Sequence, residues 1–402
     1  MGKLNKLEIE FDNSKIMCYA GETLKGTVVI DLNGTLKIKG IRLRFHGYAS
    51  VHWVERYSSG TGKNKRTVAK HFDAVEQYFD HSAYVFGANK AETHYLPQGV
   101  HKFPFEFFVP TGCPTTYEGS IGRVRTYVSA TLEKLWVSDI STLKPFTVIN
   151  PLDLNKDPRA KEKSEAINEA TFCCLCCKSG PISVKISVEN IGFVPGQAIP
   201  ITTEVLNLSR RKISVIKAYL HMNVRYHSQK KSKTHQNVIA ALKRKVSKSP
   251  EADVLQDKLL IPSIPPSFLN GCNIIDISYI LEVIIQPSGL AFDIPVRMEL
   301  IVGTYPMEST IRSLTQSTII SSSPNSTNGE KHIQKKEVEN DLVVSKNPKG
   351  CISFMESVIG KVTIEDEEES DNIDDKIVYT PVYPYFSVQQ STDLFCVDIP
   401  PR

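Results

Sequence analysis

The sequence YAGETL at residues 19–24 resembles the sequence VPGQAI at residues 194–199. Gly196 follows Gly21 by 175 positions, and the two copies keep their turn residues and apolar positions in step, without a gap, as far as His221. A period of this length exceeds the roughly 20 to 50 residues of solenoid and propeller repeats. We therefore predict two copies of one whole domain in tandem.

Short runs of alternating apolar and polar residues, separated by turn residues, extend through both halves of the chain. Examples are LNKLEIEF at 4–11, GIRLRFHG at 40–47, VRTYVSATL at 124–132 and ISVKISV at 182–188. A period of two buries one face of a strand and leaves the other in solvent. Many short strands at this spacing indicate immunoglobulin-like β-sandwiches, so we predict an all-β fold.

These patterns divide the chain into four parts. We predict a β-sandwich at 1–150, a linker at 151–178, a second β-sandwich at 179–306 and a tail at 307–402. The tail is rich in Ser, Asn, Lys and Glu and poor in aromatic residues. Such a segment buries too little apolar area to offset its ordering entropy, so we expect most of it to be disordered.

Composition and charge argue against a nucleic-acid-binding, membrane-spanning or secreted protein. A net charge of +4 is too small to indicate nucleic-acid binding. No stretch approaches the roughly 18 uncharged apolar residues of a membrane span, and the N-terminus lacks the apolar segment of a signal peptide. Nine cysteines, an odd number, argue against a disulfide framework in a reducing compartment. We expect a cytosolic protein.

Charge is distributed unevenly along the chain. A basic stretch covers 230–248 and an acidic run covers 365–375. Such runs are typical of solvated loops and tails, and the alternative for the basic stretch is contact with anionic lipid or a phosphorylated partner. Arg123 and Arg125 are further candidates for phosphate contacts, although arginines alternating along a strand more often form its solvent-exposed face.

Catalytic patterns are missing from the sequence. It contains no Gly-rich phosphate loop, no Gly-x-Ser-x-Gly elbow and no His-Glu-x-x-His. His71, His81, His94 and His101 have spacings that suit neither a helix face nor a metal loop, so they are interpreted as ordinary surface or strand histidines. We predict a protein that is not an enzyme, with no catalytic residue, no cofactor and no metal.

One dense cluster of cysteines lies in the predicted linker, and its members are Cys173, Cys174, Cys176 and Cys177. Five consecutive residues can scarcely supply four tetrahedral ligands to one zinc ion. Three alternatives are left: a zinc or thiol function, reversible S-acylation, and apolar packing, since reduced cysteine behaves as a small hydrophobe.

A longer pattern consists of YAGE at 19–22, FPFEFFVP at 103–110, PTTYEG at 114–119, GRVRTYVSATL at 122–132, Trp136 and FCCLCCKSGP at 172–181. It resembles the signature of the arrestin-domain-containing proteins, the α-arrestins, over about residues 5–306. Leu135 departs from the pattern, because the family usually has proline there. The resemblance implies two tandem arrestin-like β-sandwiches.

The resemblance also implies a function and a location. It describes a cytosolic adaptor that binds membrane receptors or transporters and associates peripherally with the plasma membrane or endosomes. Family members recruit HECT-type ubiquitin ligases through tail Pro-Pro-x-Tyr motifs, which bind WW domains as polyproline-type segments. In this chain the nearest tail match keeps only the second proline and the tyrosine, and its candidate partner-binding residues are Thr380, Pro381 and Tyr383. The missing proline is expected to lower the affinity of this segment for a WW domain by roughly ten- to thirtyfold.

The tail contains further short patterns in its only apolar island. Two Tyr-x-x-apolar patterns and one clathrin-box pattern are candidate contacts for clathrin adaptors or clathrin. Their residues are Tyr379, Val382, Phe386, Leu394, Phe395, Val397 and Asp398. Two interpretations stay open: the island binds a partner, or it packs back on the sandwiches as an extra strand.

Three functions compete at this stage. The first is an adaptor that links membrane-protein cargo to ubiquitin ligases or endocytic sorting. The second is a membrane-coat subunit that resembles the arrestin-like component of retromer and uses the same sandwiches to bridge coat partners. The third is a thiol or metal activity centred on the cysteine cluster.

Overall fold

The structure, a computed structural model, describes residues 4–12, 16–60, 65–87, 93–135, 138–174, 177–209, 211–246, 252–289, 291–311, 351–364 and 377–387. Nearly all the regular structure in these residues is β-strand, which confirms the all-β prediction. Within the same residues, no helix is long and apolar enough to cross a membrane.

The first sandwich is built from the strands β1 (Leu4–Phe11), β2 (Met17–Tyr19), β3 (Thr23–Leu32), β4 (Leu36–Ser59), β5 (Arg66–Gly87), β6 (His94–Leu96), β7 (Gly99–Phe108), β8 (Tyr117–Glu118), β9 (Gly122–Lys134), β10 (Ile140–Pro145) and β11 (Thr147–Ile149). One sheet has the order β1-β3-β7. The other has the order β10-β9-β4-β5, with β6 beside β4 and β8 beside β9. The strands β2 and β11 form a short parallel pair.

The second sandwich is built from β12 (Ser164–Cys174), β13 (Cys177–Val188), β14 (Gly192–Phe193), β15 (Ala198–Asn207), β16 (Ile213–His227), β17 (Ser232–Lys245), β18 (Ala252–Leu260), β19 (Ile275–Pro287) and β20 (Ile294–Val302). Its sheets have the orders β12-β13-β15-β18 and β14-β20-β19-β16-β17. Here β14 and β20 form the parallel pair, as β2 and β11 do in the first sandwich.

The backbone repeats with the sequence. Gly21 has φ +90° and Gly196 has φ +92°, a conformation that favours glycine, and each stands two residues before a ten-residue strand, β3 or β15. The Gly21 N–H donates to the Val109 carbonyl at 2.9 Å, and the Gly196 N–H donates to the Ile261 carbonyl at 2.8 Å. The tandem duplication is therefore present in the fold.

The second sandwich begins earlier than the sequence predicts. The strand β12 starts at Ser164, inside the predicted linker 151–178, and pairs along its length with β13. It is an edge strand whose packed face carries the small residues Ala166 and Ala170, so its apolar alternation is weak. The backbones of Cys173, Cys174 and Cys177 consequently belong to the paired strands β12 and β13.

Each sandwich has its own hydrophobic core, and the core of the second also takes in residues of the first. The β4–β5 hairpin extends beyond the first sandwich, and its far half packs Val51, Trp53 and Phe72 against the core of the second. The Trp53 and Phe72 rings stack with centroids 5.3 Å apart, and both are almost completely buried. Burial of each ring contributes about 1.5 to 3 kcal/mol, so apolar packing fixes the arrangement of the two sandwiches.

Polar contacts complete the same junction. The hydroxyls of Tyr117 and Tyr226, one from each sandwich, are 2.9 Å apart and buried. Nearer the surface, Lys231 lies 2.7 Å from Glu55 and lowers the pKa of that carboxyl to about 2. Each buried hydroxyl has a partner on the opposite sandwich, as a buried polar group requires.

We expect the Tyr117–Tyr226 hydrogen bond to couple the two sandwiches. Each of Tyr117→Phe and Tyr226→Phe should lower the free energy of unfolding by about 1 kcal/mol, because each leaves the other hydroxyl buried without this partner. The double variant should cost clearly less than the sum of the two. Urea unfolding of the four proteins measures the cycle, and strictly additive losses would contradict the coupling.

Candidate docking site at the junction of the two sandwiches

Two segments of the tail form a bent β-hairpin. The strand β21 (Cys351–Glu356) pairs with β24 (Val382–Ser387), and β22 (Val362–Ile364) pairs with β23 (Ile377–Tyr379). The prediction was that most of the tail is disordered, and these four segments are strands within it. Of the two interpretations of the apolar island, the structure shows packing back on the sandwiches for the part that ends at residue 387.

The hairpin formed by 351–364 and 377–387, called the tail hairpin below, crosses the junction of the two sandwiches. At one end Phe386 packs in a cluster with Val194 and Ile301 of the second sandwich. Val382 and Tyr383 pack on the parallel pair β2–β11 of the first. At the other end Tyr379 packs in a cluster with residues of β9 and β10.

Hydrogen bonds fix the register of the hairpin on both sandwiches. The Tyr383 hydroxyl donates to the Thr116 carbonyl at 2.9 Å, and the Tyr379 hydroxyl lies 2.8 Å from the Thr147 hydroxyl. On the second sandwich the Phe386 N–H donates to the Pro195 carbonyl at 2.9 Å. These bonds join positions far apart in the chain, so the tail hairpin belongs to the tertiary structure.

Burial controls the chemistry of the two tyrosines. Tyr383 is 1% exposed and Tyr379 is 6% exposed. Burial raises the pKa of both phenols above its ordinary value, so they are neutral hydrogen-bonding groups at physiological pH. A kinase or a WW-domain groove has no access to these side chains in the docked conformation.

The candidate partner-binding residues fall into three groups. Five of them are buried between the tail hairpin and the sandwiches: Tyr379, Pro381, Val382, Tyr383 and Phe386. Thr380 is partly exposed. The clathrin-box candidates, Leu394, Phe395, Val397 and Asp398, lie outside the described residues. The structure therefore brings the Tyr-x-x-apolar and WW-type candidates together in a single docked element.

A buried ion pair lies beneath the hairpin. The Arg125 Nε and Nη2 donate to both carboxylate oxygens of Glu118, at 2.7 and 2.9 Å, and the two residues are 5% and 2% exposed. Burial raises the pKa of Glu118, an effect that the Arg125 guanidinium opposes. The expectation of a solvent-exposed face is therefore wrong for Arg125, because alternation alone carries no information about the partner Glu118.

A close backbone approach holds the second-sandwich end of the hairpin. A Cβ atom added at Gly196 would collide with the Phe386 carbonyl oxygen. At the equivalent position of the first sandwich, a Cβ atom on Gly21 would meet only the Thr111 side-chain methyl, at 3.1 Å. The duplication thus offers a pair of glycines with the same backbone strain, of which one contacts the tail.

Cysteine and metal chemistry has little support in the described residues. There, no group of three His, Cys, Asp or Glu side chains is placed to hold a metal ion. Cys18 and Cys113 are buried thiols that form no disulfide among the described residues, and burial raises the pKa of Cys113 to about 12. The backbone of Cys173, Cys174 and Cys177 is described, whereas their side chains and the whole of Cys176 lie outside the described residues.

Comparison with known proteins covers both sandwiches. The family model of the arrestin (or S-antigen) N-terminal domain matches residues 7–155, and that of the C-terminal domain matches residues 178–307. Human arrestin domain-containing protein 4 is 30% identical over 309 residues, which cover 76% of this chain and 72% of that protein. The chain belongs to the arrestin-domain-containing family. Membership confirms the resemblance drawn from the sequence and places the protein among arrestin-like adaptors.

Other members show the same extent of similarity. Arrestin domain-containing protein 17 of Caenorhabditis elegans is 26% identical over 326 residues, which cover 77% of this chain and 72% of that protein. Human arrestin domain-containing protein 1 is 28% identical over 298 residues, which cover 74% of this chain and 64% of that protein. Each similarity spans a length close to that of the two sandwiches together.

We expect Gly196→Ala to loosen the tail hairpin. The new methyl group must displace the Phe386 carbonyl, so the amides of β21 and β24 should exchange hydrogen for deuterium faster than in the unmodified protein. Gly21→Ala is the matched control, since it carries the same strain of about 1 kcal/mol without touching the tail. Equal exchange in the two variants would contradict the close approach.

The Tyr383 hydroxyl should contribute to docking through a single hydrogen bond. Tyr383→Phe keeps the ring and loses the bond to the Thr116 carbonyl, so tail opening should become easier by about 1 kcal/mol, or roughly fivefold. Tyr385→Phe, at a partly exposed neighbour, should change the opening equilibrium little. Amide exchange of β24 measures both, and indistinguishable variants would contradict this role.

Proposed function

We propose that this protein is a non-enzymatic cytosolic adaptor. It links membrane-protein cargo to HECT-type ubiquitin ligases with WW domains, to clathrin-based sorting machinery, or to both, and it associates peripherally with the plasma membrane or endosomes. The observation that carries the proposal is family membership over both sandwiches combined with a Tyr- and Pro-rich tail segment docked at their junction.

Cargo binding is assigned to the sandwiches. The strands β5, β7 and β18 each end a sheet, and each carries an exposed apolar side chain: Val75 is 70% exposed, Phe108 57% and Val254 63%. A sheet edge can accept an extended peptide as an added strand, with backbone hydrogen bonds for affinity and side-chain contacts for specificity. Binding of this kind needs no catalytic residue.

Recruitment of a ligase is assigned to the tail. The segment Thr380–Tyr383 must leave the junction before a WW domain can read it, because Pro381 and Tyr383 are buried. The apparent affinity for a WW domain is then lowered in proportion to the undocked fraction, in addition to the cost of the missing proline. A partner that loosens the junction would raise this affinity.

Two variants distinguish the effect of exposing the Thr380–Tyr383 segment from the effect of its sequence. Gly196→Ala loosens the hairpin and keeps the motif, whereas Tyr383→Ala loosens the hairpin and destroys the motif. Purified WW domains of a HECT ligase should therefore bind Gly196→Ala more tightly than the unmodified chain, and bind Tyr383→Ala least. Gly21→Ala should behave as the unmodified chain. Equal or absent binding to Gly196→Ala and Tyr383→Ala would refute ligase recruitment through this segment.

A second candidate function is a membrane-coat subunit that bridges partners with its two sandwiches. Burial of Tyr379, Val382 and Phe386 favours it, because a coat subunit needs no exposed tail motif and gains rigidity from an extra hairpin across the junction. Proximity labelling in cells separates the two. Labelling of ligases and cargo that depends on residues 376–402 supports the adaptor, and labelling of coat proteins independent of them supports the coat subunit.

A further inference from the structure

Thr380 is the accessible residue of a buried segment of the tail hairpin. It lies between the strands β23 and β24, and its side chain is partly exposed, whereas Tyr379, Pro381, Val382 and Tyr383 are buried. Pro381 follows it directly, and a Thr-Pro pair is the minimal sequence that proline-directed Ser/Thr kinases recognise. The sequence and the exposure together make Thr380 a candidate site of modification.

The docked conformation holds the residues that follow Thr380. The Pro381 carbonyl accepts a hydrogen bond from the Ser357 N–H at 2.8 Å, and the Val382 N–H donates to the Thr147 hydroxyl at 3.1 Å. A proline-directed kinase binds its substrate as an extended peptide, with the proline in a pocket of the enzyme. Because Pro381 is buried and both bonds hold the backbone in place, phosphorylation of Thr380 requires release of this part of the hairpin.

Thr380 lines a surface groove between the tail hairpin and the first sandwich. The strands β1 and β10 form one side of this groove, and β21 and β23 form the other. The charged residues that line it are Glu8, Lys144 and Glu356, which is two carboxylates against one ammonium. A phosphate on Thr380 would add about two further negative charges to a groove that is already acidic.

The lysine of this groove is already engaged. The Lys144 ammonium donates to the Ile9 carbonyl at 2.7 Å and lies 5.4 Å from the centroid of the Phe11 ring. A phosphate on Thr380 could pair with Lys144 only at the expense of these two contacts. Repulsion from the two carboxylates and partial loss of the phosphate's hydration therefore outweigh this attraction while the hairpin is docked.

We propose that Thr380 is a phosphorylation site, and that its modification keeps the tail hairpin released from the junction. In the covalent step, a proline-directed Ser/Thr kinase transfers the γ-phosphoryl group of ATP to the Thr380 hydroxyl oxygen. The new oxygen–phosphorus bond forms as the bond between the γ-phosphorus and the β–γ bridging oxygen breaks. ADP leaves, and the kinase takes up the hydroxyl proton.

The order of events follows from the burial of Pro381. The kinase acts on molecules whose hairpin is released, and the phosphate then opposes return to the groove, so modification shifts the population toward the released conformation. The contacts that hold the hairpin consequently also limit the rate at which Thr380 is modified. This inference goes beyond the proposed function, because it concerns docking of the hairpin with no WW domain or clathrin protein present.

The first test measures docking of the hairpin in the full-length protein without a kinase. Thr380→Glu should speed amide exchange of β24 by about threefold relative to Thr380→Gln, which has a similar size and no charge. The difference should shrink at high salt, because the groove is open to solvent. Thr363→Glu, at an exposed residue of β22, is the matched control. Equal exchange in Thr380→Glu and Thr380→Gln, or equal acceleration in Thr363→Glu, would overturn the proposal.

The second test uses a purified proline-directed kinase with ATP and the full-length chain, and peptide mass spectrometry measures phosphate at each site. Thr380 should be modified several-fold faster in Gly196→Ala, which loosens the hairpin, than in the unmodified chain, and Gly21→Ala should match the unmodified chain. The other two Ser-Pro or Thr-Pro pairs, at 249–250 and 323–324, lie outside the described residues and provide the internal reference. No phosphate on Thr380, or equal rates in the two glycine variants, would refute the assignment.

The phosphorylated chain completes the test. Its β24 amides should exchange about tenfold faster than those of the unphosphorylated chain. Unchanged exchange would contradict release, and slower exchange would assign the phosphate to a stabilising contact with Lys144 instead. None of these measurements contains a WW domain or a clathrin protein, so failure of this inference and failure of the proposed function are distinguishable.

Discussion

Apolar burial at the far half of the β4–β5 hairpin is the contact on which the rest of the arrangement depends. Trp53 and Phe72 belong to a strand pair of the first sandwich, yet they lie in the core of the second. This packing brings Thr116 and Thr147 of one sandwich within reach of Pro195 of the other. The tail hairpin can contact both sandwiches at once only when the sandwiches are arranged in this way.

Tail docking and sandwich alignment are consequently linked. The hairpin is bonded to the first sandwich through Tyr379 and Tyr383 and to the second through the Phe386 backbone. Any partner that shifts one sandwich against the other weakens the hairpin's contacts, and by linkage a partner that captures the released hairpin favours the shifted arrangement.

The buried pair Glu118–Arg125 lies at this junction with both of its charges removed from water. Two charges removed from water recover their desolvation cost only through close pairing, and here both carboxylate oxygens accept from the guanidinium. Gly360 of the tail approaches the Glu118 backbone so closely that an added Cβ would lie 2.6 Å from its carbonyl oxygen. The hairpin thus covers the pair and keeps water from it.

The sequence by itself determined the duplication, the all-β fold and the turn glycines Gly21 and Gly196, because alternation and turn chemistry are local properties that each strand carries in its own residues. The sequence also located the apolar island of the tail, but it did not determine whether the island binds a partner or packs on the sandwiches. Only the tertiary structure decided that Tyr383 bonds to Thr116, 267 positions away, and that Arg125 is buried against Glu118. Such contacts depend on which strands become neighbours after folding. The periodicity of a single segment is a local property, so it cannot predict its long-range neighbours.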